Sequence, residues 1–98
     1  MNEGDLNKAA TRGTRAKLLL EDELLVEAFT AIRADYIEKL LATNTQQAEA
    51  REKLYMGVRI LDEVKAHLET IVTNGTVAIG DLKNLADTAE RKRRFSIV

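Results

Sequence analysis

The sequence predicts an all-α protein: a long antiparallel helical hairpin with a flexible N-terminal arm and a short C-terminal helix and tail. Three observations support this class. Apolar residues recur at steps of three and four over two long stretches, which is the period of an amphipathic helix. A short polar segment separates the two stretches, and the 98 residues include no proline that would break a helix.

The composition is that of amphipathic helices rather than of a disordered chain, since 45% of the residues are hydrophobic and 32% are charged. There is no cysteine, which excludes a disulfide framework and a thiolate nucleophile. No apolar run approaches the roughly 20 residues that span a bilayer. Residues 1–5 do not resemble a signal peptide. We therefore expect no membrane contact and synthesis in a reducing cytosol.

Three segments follow from the distribution of polar and apolar residues. Residues 1–13 are polar and lack periodicity, so they are predicted to form a flexible arm. Residues 14–75 are predicted to form the helical hairpin, with Thr14 as its N-cap and Gly75 as its left-handed C-terminal residue. Residues 76–98 are predicted to form a connector, a short helix and a basic, then apolar, tail.

Each predicted helix carries one stripe of apolar residues that should be buried. In the first helix the stripe consists of Leu25, Phe29, Ile32, Tyr36 and Leu40. In the second it consists of Leu54, Val58, Leu61, Val64, Leu68 and Ile71. Between the helices, Asn44 and Gln47 have the spacing of a capping box. A third, short helix is predicted with Asp81 as its cap and with Leu82, Leu85, Ala86 and Ala89 on one face.

A cluster of apolar residues between positions 18 and 26 predicts self-association. At 100° per residue these side chains point in nearly every direction, and a helix that is apolar all round must be covered on several sides. Leaving four leucines exposed forgoes about 1.5–3 kcal/mol each, which is comparable to the stability of so small a domain. We therefore expect a homo-oligomer, with an interface that includes Leu18, Leu19, Leu20, Leu24, Leu25 and Val26.

The formal net charge is −1, but an acidic body separates two basic ends. The residues predicted to contact nucleic acid or a partner protein are Arg12, Arg15, Lys17, Arg91, Lys92, Arg93, Arg94 and Phe95. Basic side chains bind phosphates without sequence specificity, and an aromatic ring can stack on a base. The alternative is a solvated helix end, because cations are favoured at a helix C-terminus.

Catalysis is not expected, and we predict no catalytic residues, no bound metal and no cofactor. Glu63 and His67 stand at i and i+4, whereas di-iron helical bundles use Glu-x-x-His at i and i+3. Acid–base carboxylates need a pocket that shifts one pKa, so the acids at 21–23 and 62–63 are expected on solvated faces. A metal-assisted enzyme that uses Glu63 and His67 remains a distant alternative.

Several short motifs between residues 11 and 76 resemble small proteins that are encoded in tailed-bacteriophage structural gene clusters. The motifs that carry the resemblance are the run from Arg12 to Glu21, Glu27-Ala28-Phe29, Tyr36-Ile37, Arg51-Glu52-Lys53-Leu54, His67-Leu68 and Asn74-Gly75. These are helical packing and capping residues, and no functional residue is carried over from the resemblance.

The resemblance implies a non-enzymatic structural or assembly protein of a tailed-phage virion, associated with the head or portal. Its expected partners are further copies of itself and larger virion or packaging proteins, and its expected location is the host cytoplasm during assembly and then the virion. Small terminase subunits offer a related picture, since their central part is an antiparallel helical hairpin that assembles rings. The second hypothesis is therefore a small-terminase-like DNA-packaging or nucleic-acid-binding subunit.

Overall fold

The computed structural model of the chain is all-helical and strongly elongated, and it describes residues 2–97, with side chains described for residues 2–94. Three helices follow one another: α1 spans Glu3–Glu21, α2 spans Glu23–Leu41 and α3 spans Ala48–Ile97. The molecule measures 80 × 24 × 16 Å, with a radius of gyration of 21.7 Å. A compact chain of this length would have a radius of gyration of about 13 Å. The all-α prediction is confirmed, since no strand occurs among residues 2–97.

The N-terminal segment is helical from its third residue. Asn2 is the cap of α1, because the N–H of Asp5 donates to its Oδ1 atom at 2.8 Å. Two acidic residues lie in the first turn, where the helix dipole favours negative charge. Leu6 is buried and anchors this part of α1. The predicted flexible arm over residues 1–13 is therefore wrong for its described part, which forms the first half of α1.

Asp22 divides the first predicted helix into α1 and α2. Its backbone is extended, with φ −67° and ψ 117°, and its Oδ1 atom accepts the N–H of Leu25 at 2.9 Å. The half-buried Leu20 and Leu25 are five residues apart, which would rotate the apolar stripe by about 140° on a continuous helix. The break at Asp22 resets the phase of the stripe, so that α1 and α2 both turn an apolar face to α3.

The connection between α2 and α3 is closed by side-chain hydrogen bonds. The N–H of Asn44 donates to Oε1 of Gln47 at 2.9 Å, which is one of the two bonds of the predicted capping box. The other is absent, because the N–H of Gln47 donates to the backbone carbonyl of Asn44. The N–H of Gln46 donates to Oδ1 of Asn44 at 2.9 Å, and the guanidinium of Arg51 donates to the carbonyl of Asn44. These bonds pair backbone polar groups of the connection, just before α3 begins at Ala48.

α3 continues through the predicted connector without a break. Gly75 is buried inside the helix, and no described glycine has a positive φ, so the predicted helix end at Gly75 is wrong. The expected caps Thr14 and Asp81 lie inside α1 and α3. The physical reason is a row of apolar and small residues that keeps its steps of three and four beyond residue 73. This row consists of Leu68, Ile71, Gly75, Ala78 and Leu82.

α1 packs on α3 through a close approach of two backbones. A Cβ atom on Gly13 would lie 2.7 Å from Cα of Gly75, and a Cβ atom on Gly75 would lie 2.6 Å from Cα of Gly13. Only glycine permits such an approach. Leu6, Ala16 and Ala78 are the buried apolar residues of the described chain, and they accompany this crossing on α1 and α3. The well-packed part of the molecule is therefore the α1–α3 crossing.

α2 contacts α3 more loosely. A Cβ atom on Gly57 would lie 2.9 Å from Cε2 of Tyr36, so Gly57 makes room for an aromatic ring rather than for another backbone. Arg33 on α2 pairs with Asp62 on α3, at 2.8 Å from Nε to Oδ1. The predicted stripes are half-buried at nine of their eleven positions, and the two exposed positions are Ile32 and Val64.

Replacement of Gly13 with alanine should destabilise the fold. The new methyl group would overlap the backbone of α3, and overpacking of this kind costs about 1–3 kcal/mol, which exceeds the gain of about 1 kcal/mol in helix propensity. The matched control is Gly80→Ala, because no atom lies within 4 Å of the Cβ position at Gly80. Urea unfolding at one fixed protein concentration should show a lower midpoint for Gly13→Ala and a higher one for Gly80→Ala. Equal shifts in the two variants would contradict the close crossing.

Candidate interaction surfaces

A groove at the break between α1 and α2 gathers four of the six residues predicted to form the oligomer interface. The groove has a volume of about 320 Å³, and its polar rim includes Thr30, Lys65 and Glu69. Its apolar lining consists of Leu19, Leu20, Leu25, Val26, Phe29 and Leu68. The break at Asp22 creates this groove, because it places the end of α1 and the start of α2 over the same part of α3.

The other two predicted interface residues lie outside this groove. The exposed fraction of Leu18 is 63% and that of Leu24 is 75%. Leu19 and Val26 are also exposed, whereas Leu20 and Leu25 are half-buried against the rest of the chain. The structure thus separates the predicted cluster into a half-buried pair and four residues that the single chain leaves uncovered.

The whole chain exposes more surface than a compact protein of its size. Its solvent-accessible area is 7992 Å², against about 5,600 Å² for a compact chain of the same mass. The excess is about 2,400 Å². No side chain among the described residues is both large and completely buried. The apolar surface that a globular domain would place in its core lies in large part on the outside of this molecule.

The ion pair between Arg33 and Asp62 marks one flank of the α2–α3 pair. Arg33 donates twice to the carboxylate, from Nε at 2.8 Å and from the guanidinium at 3.2 Å. The hydrogen bond from Arg33 is the main cause that lowers the pKa of Asp62 below its ordinary value. The same hydrogen bond is the main cause that raises the pKa of Arg33. Sequence periodicity missed this pair, because it depends on the register between two helices.

The two predicted basic ends lie apart within one chain. Arg12 lines a groove between α1 and α3 with Asn74, and Arg91 lies 17 residues beyond Asn74 along α3. At 1.5 Å per residue this separation is about 26 Å. Lys17 forms an exposed ion pair with Glu21 at 3.9 Å. The structure therefore places the two basic clusters on separate surfaces of the monomer.

The second basic cluster lies on a part of α3 that extends beyond α1. Gly13 contacts Gly75, and α1 and α3 run in opposite directions. Glu3, ten residues before Gly13, therefore lies at the level of Leu85, ten residues after Gly75. The helix continues from there to Ile97. Arg91 to Arg94 are exposed on this extension, and Arg94 also pairs with Glu90 at 3.1 Å. The side chain of Phe95, predicted to contact a base or a partner, lies outside the described residues.

Most of the acidic residues considered for chemistry have structural partners. Asp22 caps α2, Asp62 pairs with Arg33, and Glu63 lies 3.9 Å from Arg59. His67 is exposed on α3. Within the described part of the chain, no three His, Cys, Asp or Glu side chains are grouped closely enough to hold a metal ion.

A second groove lies between α1 and α3 beside the contact of Gly13 with Gly75, with a volume of about 550 Å³. Its charged lining residues are Asp5, Lys8, Arg12 and Asp81. Because two of these residues are acidic and two are basic, the groove has no net charge. Charged side chains at the edges of a helix pair are ordinarily there to interact with solvent.

Comparison of the chain with protein families, curated proteins and solved structures gives no match. No helix among the described residues is long and apolar enough to cross a membrane.

Replacement of Asp62 with asparagine should lower stability in a pH-dependent way. Because the pKa of Asp62 is lowered in the folded chain, its ion pair stabilises the fold above the ordinary aspartate pKa of about 3.9. This contribution is lost as the pH falls through the lowered pKa. The unfolding midpoint of Asp62→Asn should lie below that of the wild type at pH 7, and the two should converge in acid.

The matched control for this variant is Asp35→Asn, since Asp35 pairs with Lys39 inside α2 at 2.8 Å and does not connect two helices. It should lower the midpoint at pH 7 by less than Asp62→Asn. The same loss in both variants would show that the inter-helix pair adds nothing beyond a local one.

Proposed function

We propose that the chain is a non-enzymatic structural or assembly subunit that functions as an oligomer of identical copies. The observation that carries this proposal is the excess of about 2,400 Å² of exposed surface over a compact chain. Two copies that each cover this area would bury about 4,800 Å² in total, which falls in the range of obligate homodimers. Association would supply the apolar burial that the single chain lacks.

The building unit in this proposal is a helical hairpin with α1 and α2 as one arm and α3 as the other. The opposite chain direction of the contacts supports it, since Gly13 meets Gly75 and Arg33 meets Asp62. The row from Leu54 to Leu82 keeps the three- and four-residue steps of a coiled coil. Long, narrow units of this kind associate side by side.

The biological setting that we propose is the virion of a tailed bacteriophage. Support for this setting comes from the resemblance of residues 11–76 to small proteins of phage structural gene clusters. In that setting the subunit would join larger head or portal proteins, in the host cytoplasm during assembly and then in the virion. An elongated oligomer with exposed basic helix ends suits docking on a larger, oppositely charged shell or portal protein.

A second candidate function is DNA packaging or nucleic-acid binding, as in small terminase subunits. The observation that favours it is the placement of Arg91, Lys92, Arg93 and Arg94 on the extension of α3. A helix end that projects from the body can reach a phosphate backbone without a clash from α1. Contacts of this type are electrostatic, independent of sequence and sensitive to salt.

The solution mass of the purified protein tests the structural proposal. At about 50 µM, where a dimer with a Kd of about 1 µM or tighter is mostly formed, light scattering should show a discrete oligomer in both low and high salt. Its mass should not change when DNA is added. A monomer at this concentration would contradict self-association.

Replacement of the four residues Arg91–Arg94 with alanine tests the DNA-binding candidate. If this cluster binds phosphates, the wild type should gain mass with duplex DNA at low salt, and the variant should not. The matched control is Arg12→Ala with Arg15→Ala, which removes basic residues from α1 and leaves the extension of α3 unchanged. Unchanged DNA binding in the four-residue variant would rule out this cluster as the contact.

A further inference from the structure

The two flanks of the α2–α3 pair differ in polarity. Arg33 and Asp62 meet on one flank. At 100° per residue, Ile32 lies on the other side of the row formed by Phe29 and Tyr36, away from Arg33. Phe29 and Tyr36 are half-buried against α3, so Arg33 and Ile32 mark opposite flanks of α2.

The same division holds on α3. Tyr55 is seven residues before Asp62 and lies on the ion-pair flank, because seven residues complete almost two turns. Ile60 and Val64 are one helical turn apart and lie on the opposite side of the half-buried Leu61. Ile60 and Val64 therefore share a flank with Ile32.

This second flank is mainly apolar along its centre, where it also carries the exposed His67, seven residues after Ile60. On α2 it carries Leu24, Ala28 and Ile32 at four-residue steps, and on α3 it carries Ile60, Val64 and Ile71. The exposed fraction is 75% for Leu24, 54% for Ile60 and 44% for both Ile32 and Val64. We call this surface the apolar flank and define it by these four exposed residues. Rows at four-residue steps are the ridges through which helices pack on one another.

We propose that the apolar flank is a two-fold interface with a second copy of this chain, so that two α2–α3 pairs form a four-helix bundle. This proposal rests on the proposed function and adds the surface that carries it. A patch without charges at its centre is complementary to itself across a two-fold axis, since no like charges are brought together. The surplus belongs to the whole chain, about 2,400 Å² per copy over a compact chain, and it exceeds the roughly 1,000 Å² per copy that the smaller obligate dimers bury.

The ion-pair flank is less suited to the same contact. The groove on that flank is bordered by Lys65 and Glu69, and Arg33 and Asp62 line the neighbouring depression. Burial of these groups under a second copy would remove water from four charged side chains, which is costly unless every charge is paired again.

The charged residues in phase with the apolar flank are Lys39 and Lys53, seven residues from Ile32 and Ile60, and each is paired within its own helix. The four residues that define the apolar flank lie between them and can be buried without that cost.

Two glutamate variants on α3 test the choice of flank. Ile60 and Tyr55 have the same exposed fraction, 54%, and they lie on the same helix but on opposite flanks. Ile60→Glu should weaken dimerisation by on the order of 100-fold or more, because each copy would bury an unpaired carboxylate. Tyr55→Glu should leave the mass unchanged. Light scattering over a concentration series, with helix content from circular dichroism, measures both.

The outcomes separate this inference from the proposed function. Suppose that the wild type is oligomeric. If Tyr55→Glu dissociates it while Ile60→Glu does not, or if both variants behave alike, the flank assignment is overturned. Self-association then still stands. If the wild type itself is a monomer, the proposed function fails first.

A second measurement does not depend on a disruptive substitution. The chain contains no cysteine, so Ile60→Cys and Tyr55→Cys each introduce a unique thiol. The thiol at position 60 should react with a bulky maleimide at least about 10-fold more slowly once the protein is concentrated enough to associate. The reason is that a buried thiol reacts only in the dissociated fraction. The thiol at position 55 should react at a constant rate. Equal rates at both positions would overturn the proposal.

Discussion

The structure depends on a geometric constraint: the molecule is two helices thick, so each helix can cover its neighbour along one stripe only. In a chain of 80 × 24 × 16 Å, a side chain that points away from that stripe stays in water. Leu18 and Leu24 are exposed for this reason, and the amphipathic stripes of α2 and α3 are half-buried rather than buried. Within one chain, stability must therefore come from the few places where backbones approach closely, and the proposed association with further copies would add to it.

Within one chain, two features bring helices together despite this constraint: the contact of Gly13 with Gly75 and the break at Asp22. Gly13 and Gly75 bring α1 and α3 into backbone contact, and close packing replaces the burial of large side chains. Asp22 then rotates the apolar stripe so that α2 also faces α3. α2 is held by a tyrosine ring over Gly57 and by the exposed ion pair of Arg33 with Asp62, and exposed ion pairs contribute little. α1 is therefore attached to α3 more firmly than α2 is.

Local periodicity was sufficient to predict the helices and most of their half-buried positions, because the stripes from Leu25 to Leu40 and from Leu54 to Ile71 depend on helix geometry alone. The helix ends were mispredicted at two glycines whose structural role depends on a residue far away in the sequence. Gly13 and Gly75 have the local character of a flexible arm and a helix end, yet each is a packing residue for the other, 62 positions away. The Arg33–Asp62 pair was missed for a related reason, since its register follows from how the helices cross. The apolar cluster from Leu18 to Val26 is visible in the sequence because excess hydrophobicity is a local property, and its role as an oligomer interface stays a prediction.

If burial of apolar surface is completed only between copies, as we propose, then folding and association of this chain are coupled. The most direct test is the thermal unfolding midpoint, followed by circular dichroism over a roughly 100-fold range of protein concentration. Coupled folding and association raise the midpoint as the concentration rises, because mass action favours the associated native state. We expect such a rise. A midpoint that stays constant over the whole range would show that the single chain is stable alone and would contradict the coupling.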